Sequence, residues 1–338
     1  MIENPPEQTP QTAVEALGFT ATVPVEIVLA AGLRPLDLNN ALIGGPDPAG
    51  AVRAAEEAGF PRNSCAWIKG IYSTIKRMGT RRVVGVTQGD CSNTEALLEI
   101  LADDGVTAVP FAYPADRDPA KLRDALAAFA VELGTDLGAA EVRRRVLLDL
   151  RRDLARLDEL VVAGKRRGAD YFDLALAASD FGGDPTAYRR RLAEALDHGA
   201  QPQDGALRLA YLGVPPAFTD LLDRLADFGA EIVFAEIPRQ FAMPGEPADL
   251  IEQYLAYTYP YGMAFRLCDI RPELRRRRID GVIHYVQSFC FRHIEDILVR
   301  RQMPDLPLLT LEGDRPGPLS PRDLLRLESF CESLSLEL

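Results

Sequence analysis

The sequence lacks most of what familiar enzyme classes would require. It has only three histidines, His198, His284 and His293. None is grouped with cysteines at finger-like spacing, which argues against a zinc site. Glycine pairs occur at Gly44-Gly45 and Gly182-Gly183, but neither is followed by the Lys and Ser/Thr of a phosphate loop, so the chain is not expected to bind ATP itself. A Gly-x-Ser-x-Gly nucleophile elbow is missing. No apolar run reaches membrane-spanning length. The start, Met1 to Glu7, lacks the basic and apolar regions of a secretory signal, so the expected compartment is the cytoplasm. There is no basic excess: 38 Lys and Arg face 50 Asp and Glu, for a net charge of −12. Nucleic acid, whose phosphates need a basic footprint, is therefore not an expected partner.

What is present is an ordinary globular composition over 338 residues, 47% hydrophobic and 26% charged. That length exceeds a usual single core and predicts two domains. Residues 1–15 are polar and proline-rich and read as a poorly ordered tail. From 16 to 118 helical and strand-like patterns alternate. Helices are predicted over 24–31, 49–59, 64–78 and 94–103, with strands over 33–38, 82–87 and 106–111. Residues 119–200 switch to long helices: Val142, Val146, Leu150, Leu154, Leu157 and Val161 recur three or four apart, the spacing of an amphipathic face. This block reads as a helical insertion or bridge. The Pro/Gln/Asp/Gly segment 199–205 marks a boundary, and 201–338 resumes the alternation. Strands are expected at 207–212, 231–234, 281–286 and 306–311, with helices at 217–228, 247–256, 262–277, 291–301 and 321–334. The fold class predicted is α/β, two doubly wound Rossmann-like subdomains with a helical insertion between them.

Five cysteines in a chain without a recognisable secretory signal point to metal binding or catalysis rather than disulfides. Three of them, Cys65, Cys91 and Cys290, each sit where a loop opens a helix, and Cys91 and Cys290 follow strand-like runs. Sites in open α/β sheets form at that edge, and helix N-termini favour thiolate. Two readings stay open: small core thiols, or ligands of one iron–sulfur cluster in the cleft between the two subdomains, where ligand sites are common. Cys268 falls within an amphipathic helix and reads as a core thiol or a further ligand. Cys331, in the last helix, reads as structural.

Around these positions, Asp90, Gln88 and Ser92 could hydrogen-bond cluster sulfurs or cap a helix. His293, one turn beyond Cys290, is a candidate proton carrier, while His284, on a strand, reads as a core residue. The aromatic stretch Tyr257 to Tyr261 either lines the cleft or packs. Five arginines between Arg271 and Arg278 form a solvated helix end or a surface for an anion or partner.

The chain resembles the 2-hydroxyacyl-CoA dehydratase D-component family, which also contains benzoyl-CoA reductase subunits and double-cubane cluster proteins. The likeness is carried by Pro24-Val25-Glu26-Ile27-Val28-Leu29-Ala30-Ala31-Gly32-Leu33-Arg34-Pro35, by Cys65 at a helix start, and by Thr87-Gln88-Gly89-Asp90-Cys91-Ser92. It continues through Arg278 to Ile283 followed by Ser288-Phe289-Cys290, and through Leu309 to Gly317. The resemblance implies that Cys65, Cys91 and Cys290 hold a [4Fe-4S] cluster with one iron free of protein thiolate; by their positions beside Cys91 and Cys290, Asp90 and His293 are the candidate catalytic residues. It implies one-electron chemistry: a lyase that dehydrates a 2-hydroxyacyl-CoA through a ketyl radical, or a low-potential reductase. The implied partners are an ATP-hydrolysing iron–sulfur activator and a second chain, in a homodimer or heterodimer. The chain departs from dehydratase subunits in two places. Only 25 residues separate Cys65 from Cys91, and Glu236-Ile237-Pro238-Arg239-Gln240 stands where many carry Thr-Cys-Thr-Gly. A double cubane would need about six thiolates against the five cysteines present. Two alternatives follow, a reductase of small non-CoA molecules and a noncatalytic electron-transfer subunit.

Overall fold

Strands buried on both faces need continuous apolar runs; the described residues form eight strands in two sets of four, and the two central strands of each set are mostly buried. The computed structural model describes residues 14–337; the expected N-terminal tail lies almost wholly outside that range. In chain order the first set is β1 (Ala16–Phe19), α1 (Val25–Ala30), β2 (Arg34–Asp37), α2 (Leu38–Ile43), α3 (Pro48–Glu57), α4 (Ala66–Met78), β3 (Arg82–Gln88), α5 (Asn93–Asp103) and β4 (Thr107–Ala112). Four helices follow, α6 (Pro119–Glu132), α7 (Leu137–Val162), α8 (Gly168–Ala177) and α9 (Pro185–His198). The second set is β5 (Leu207–Gly213), α10 (Leu221–Asp227), β6 (Ala230–Ala235), α11 (Glu236–Ala242), α12 (Leu250–Ala256), α13 (Met263–Arg276), β7 (Gly281–Gln287), α14 (Asp296–Gln302), β8 (Leu308–Gly313) and α15 (Pro321–Glu337).

Both sheets are wholly parallel, and their strand orders are β2-β1-β3-β4 and β6-β5-β7-β8. The two subdomains therefore repeat one plan, the Rossmann-like α/β architecture expected. In each sheet the connections reverse direction beside the first strand, between β1 and β3 and between β5 and β7. Loops leaving the carboxyl ends of such neighbours diverge and leave a crevice.

Buried polar links join the halves. Glu26 of α1 is fully buried and accepts hydrogen bonds from Arg151 of α7 at 2.6 Å, and from Gln253 and Tyr254 of α12 at 2.8 and 2.7 Å. These contacts hold its carboxyl below the usual range although burial opposes them. Leu250, Ile251 and Tyr254 of α12 pack into the same core as Leu17 and Val84 of the first sheet. The helices of 119–198 are likewise shared. Leu122 and Leu126 of α6 join the first core, whereas Leu150, Leu154 and Leu157 of α7 join that of the second sheet with Leu212 and Val282.

Several elements differ from their sequence-based expectation. The helix predicted from Ala217 begins only at Leu221, because Thr219 donates its N–H to Gly317 and Gly317 donates to Ala217, pairing the segment with the C-terminal region instead. The helix predicted from Phe291 to Arg301 breaks into a 3-10 turn, Phe291–Glu295, and α14. Strand β1 and the short helices α2 and α11 are additional to those expected.

Candidate functional site

The two crevices face each other across a cavity of about 530 Å³. From the first subdomain Thr20 and Thr22, after β1, and Cys91, after β3, line it; from the second, Val214 and Pro215, after β5, and Cys290, after β7. Cys65, at the N-cap of α4, completes the set. Three cysteines from separate segments thus meet in one cleft. Cys91 and Cys290 occupy matching places in the repeated plan, each just beyond the third strand of its sheet.

Local backbone geometry turns the sulfurs inward. Gly89, two residues before Cys91, has φ +96°, and a Cβ there would lie 2.7 Å from the Cβ of Pro260. Only glycine meets both conditions without strain. Phe289, next to Cys290, holds φ 63°, a left-handed conformation that is costly for a bulky residue and concentrates at functional sites. Trp67 Nε1 donates to Gln287 Oε1 at 3.1 Å, tying the helix of Cys65 to the strand that leads to Cys290. Gln287 also accepts from the Tyr285 hydroxyl at 2.7 Å and donates to the Asp314 carbonyl at 2.7 Å. Nearby, Glu56 accepts from Lys69 and from Arg315 at 2.8 Å each, a second link across the junction.

Backbone N–H groups at the turns that open there lower the proton affinity of each thiol, those of Trp67 and Ile68 at Cys65, of Asn93 at Cys91 and of Arg292 at Cys290. Burial nevertheless pushes the Cys65 thiol up to about 12 and Cys290 to about 11, and raises Cys91 as well. The thiolate charges of Cys91 and Cys290 raise Cys65 further, so the sulfurs stand within electrostatic reach of one another. Left alone they would be protonated; a bound cationic centre reverses this by coordination. Among the described residues no three His, Cys, Asp or Glu side chains converge closely enough to hold a single metal ion. A donor set of three soft sulfurs around a roomy cleft, with backbone N–H groups at each sulfur, suits a polynuclear iron–sulfur group rather than one ion.

A family model described as 2-hydroxyglutaryl-CoA dehydratase, D-component, matches residues 20–334. The chain belongs to that family. No match was found among individually curated proteins. Membership makes this D-component chain dehydratase-like, and no helix among its described residues is long and apolar enough to cross a membrane.

Asp90 lines the same cleft and accepts from the Tyr259 hydroxyl at 3.3 Å. Burial raises its carboxyl to about 6, against the lowering influence of Arg292. Neither Asp90 nor Ser92 caps α5 through its side chain. His293 is exposed on the turn beyond Cys290 and is not among the residues lining the cavity. His284 is buried and bonded through Nδ1 to Asp296 at 2.7 Å, and Cys331 is buried in the second sheet's core, both as expected. Cys268 is corrected: it is exposed on α13 and outside the cleft, neither a core thiol nor a neighbour of the other three. Of the aromatic stretch, Tyr259 lines the cleft while Tyr257 packs against Tyr254 and Phe241.

The arginine run is neither a uniformly solvated end nor a continuous surface. Arg277 is 1% exposed and bonded to both oxygens of Asp158 at 2.7 and 2.6 Å. Glu236 is also buried. It pairs with Arg266 at 2.6 Å and accepts the Gly213 N–H at 3.1 Å, fixing the carboxyl end of β5 beside the cleft.

Residues that sequence reasoning passed over complete the cleft. Asp37 ends β2, and its backbone N–H donates to Asp180 at 2.8 Å. The Asp37 carboxylate accepts from Ser179 at 2.6 Å and Asn39 at 2.9 Å. Burial, then the neighbouring Asp37 charge, raises Asp180 to about 7. The proximity of Asp37 to Ser179 and Asp180 in the sequence of the fold has no counterpart in local spacing.

Proposed function

We propose that Cys65, Cys91 and Cys290 hold a [4Fe-4S] cluster and that the protein carries out one-electron reductive chemistry on an acyl-CoA thioester, as a 2-hydroxyacyl-CoA dehydratase or a related reductase. The observation that carries this reading is the meeting of three cysteines from separate segments in one cleft of about 530 Å³, in a chain of the D-component family. When bound, such a cluster with three protein thiolates would supply a low-potential electron and an open iron able to act on an oxygen of the substrate.

The chain's own residues would do the rest. Leu36, Ile43, Ile68, Ile71 and Leu176 give the cleft an apolar wall, which excludes water from a reactive radical. Asp37 and Asp180 share the wall, and two buried carboxyls so close do not both ionise readily. The pair can keep a proton at neutral pH and give it to a leaving oxygen or take one from carbon. Asp90, beside Cys91, is the second candidate for that role.

An electron must enter from outside. Phe289, Phe291, Ile294, Ile297 and Leu298 are 51, 46, 72, 51 and 42% exposed around the Cys290 turn. Exposed apolar residues gathered in one region suit a docking partner, here the ATP-hydrolysing iron–sulfur activator or a related chain.

One feature favours a second reading, a reductase of small non-CoA molecules. Asp37, Asp90, Asp173 and Asp180 line the cleft against one guanidinium, Arg191, a balance that disfavours the phosphates of CoA.

The test is iron and acid-labile sulfide per chain in anaerobically prepared protein, with EPR of the reduced form. About four of each is expected. Cys65→Ser, Cys91→Ser and Cys290→Ser should each lose the cluster, while Cys331→Ser keeps it. Full iron in all three single variants would defeat the ligand assignment. A change in the EPR signal on adding acyl-CoA supports the thioester reading; a change only with small molecules supports the second.

A further inference from the structure

Arg292 acts by its charge on two of the three cysteines from within the protein. It lies two residues beyond Cys290 and is only 8% exposed. Its backbone N–H faces the Cys290 sulfur, and its charge lowers the proton affinity of both Cys91 and Cys290. The guanidinium is held from three sides. It stacks over the Tyr259 ring at 4.6 Å and the Phe291 ring at 5.0 Å. Nη2 donates to the Tyr259 carbonyl at 2.7 Å, and Nη1 reaches Glu295 at 3.3 Å.

Two details bear on the role of this side chain. Its Nε–H is buried and has no hydrogen-bond partner, as also holds for Arg151 and Arg239, a cost that a nearby acceptor would relieve. Its counterion is also shared: Glu295 is bonded to Arg266 as well. Arg266 in turn takes both oxygens of Glu236. Arg292 is thus in contact with Glu295 on its own turn and Tyr259 on the loop after α12, and although it does not line the cavity itself, its charge acts on Asp90, Cys91 and Cys290.

Resting on the cluster assignment above, we propose that Arg292 is the tuning residue of the site, a fixed buried cation whose Nε–H and charge stabilise the more negative, reduced state of the cluster. Hydrogen bonds and positive charge near the sulfurs raise a cluster's reduction potential, and the hold of the aromatic rings keeps this cation from relaxing away. Aromatic stacking and a fixed fork are properties of arginine that lysine reproduces only in charge.

The experiment is an EPR-monitored redox titration of the cluster in Arg292→Gln and Arg292→Lys, beside iron and sulfide content. In Arg292→Gln the oxidised-to-reduced equilibrium should move about tenfold toward the oxidised form, a potential about 59 mV more negative for one electron. Arg292→Lys should recover part of that shift. Wild-type iron with an unchanged potential in Arg292→Gln overturns the assignment of Arg292 and leaves the cluster reading intact. Absence of iron from the wild-type protein overturns the cluster reading itself. Should Arg292→Gln lose iron, Glu295→Gln decides with the opposite sign. Removing the carboxylate that offsets the guanidinium should make the potential less negative, and no shift there refutes the proposal.

Discussion

Replacing Asp180 by Asn should remove a pH dependence of stability that the cleft builds in. Asp180 is 4% exposed, and burial followed by the charge of Asp37 lifts its carboxyl from the ordinary 3.8 to about 7, against lowering from the N–H groups of Asp37 and Gly182 and from Arg34. Asp37 is raised as well, despite donors from Ser179 and Asn39. A carboxyl whose folded value is raised binds its proton more tightly in the native state. The native state therefore loses stability as pH climbs from the unfolded value near 3.8 to about 7, and the loss is complete above that. Each tenfold difference in proton affinity is worth about 1.4 kcal/mol, so the pair costs the ionised protein on the order of 4 kcal/mol at pH 8, an upper bound because the two carboxyls share the effect. The assay is urea unfolding followed by circular dichroism at pH 5 and pH 8. Wild type should lose about 2–3 kcal/mol between them, because part of the loss already falls below pH 5, whereas Asp180→Asn should lose clearly less. The variant forfeits one of two backbone hydrogen bonds at Asp180, about 1 kcal/mol, so it is expected to be less stable at pH 5 and closer to wild type at pH 8. An equal drop in both proteins would refute the reasoning.

Glu236→Ala should destabilise by about 3 kcal/mol, because it strips two of the three carboxylate bonds from an Arg266 that is 1% exposed and leaves it only Glu295; a urea-derived loss below about 1 kcal/mol would show the pair to be dispensable. Gly89→Ala should lower iron content, since both φ +96° and the 2.7 Å approach to Pro260 oppose a side chain there. Gly229→Ala is the control, with φ +69° and open space around it, and equal iron in the two variants would sink the steric argument.

The sequence revealed the parallel strands because burial on both faces demands unbroken apolar runs, as in β6 and β7, every residue of which is buried. It revealed the three cysteines because loops that leave a strand and open a helix have a readable local pattern. Short elements escaped for local reasons. Pro238 makes residues 236–240 look like a break, yet it falls in the first turn of α11, where its missing N–H costs nothing. α2 begins directly at the end of β2 with Asp37 as its cap, leaving no turn to read. The Asp37–Asp180 contact joins positions 143 residues apart, and no periodicity records such a meeting. Arg292 sat in plain view two residues from Cys290, but its charge reads as surface until Tyr259, from a distant loop, covers it.

Trp67 is the chain's sole tryptophan, and it stands half-buried on the junction, its indole reaching from the helix of Cys65 to Gln287 of the other subdomain. Any motion that parts the subdomains to admit a substrate has to release that indole to water. The protein thus carries a built-in gauge of its own closure. One emission band, unconfused by other tryptophans, reads the gap beside two of the three cysteines while the molecule works.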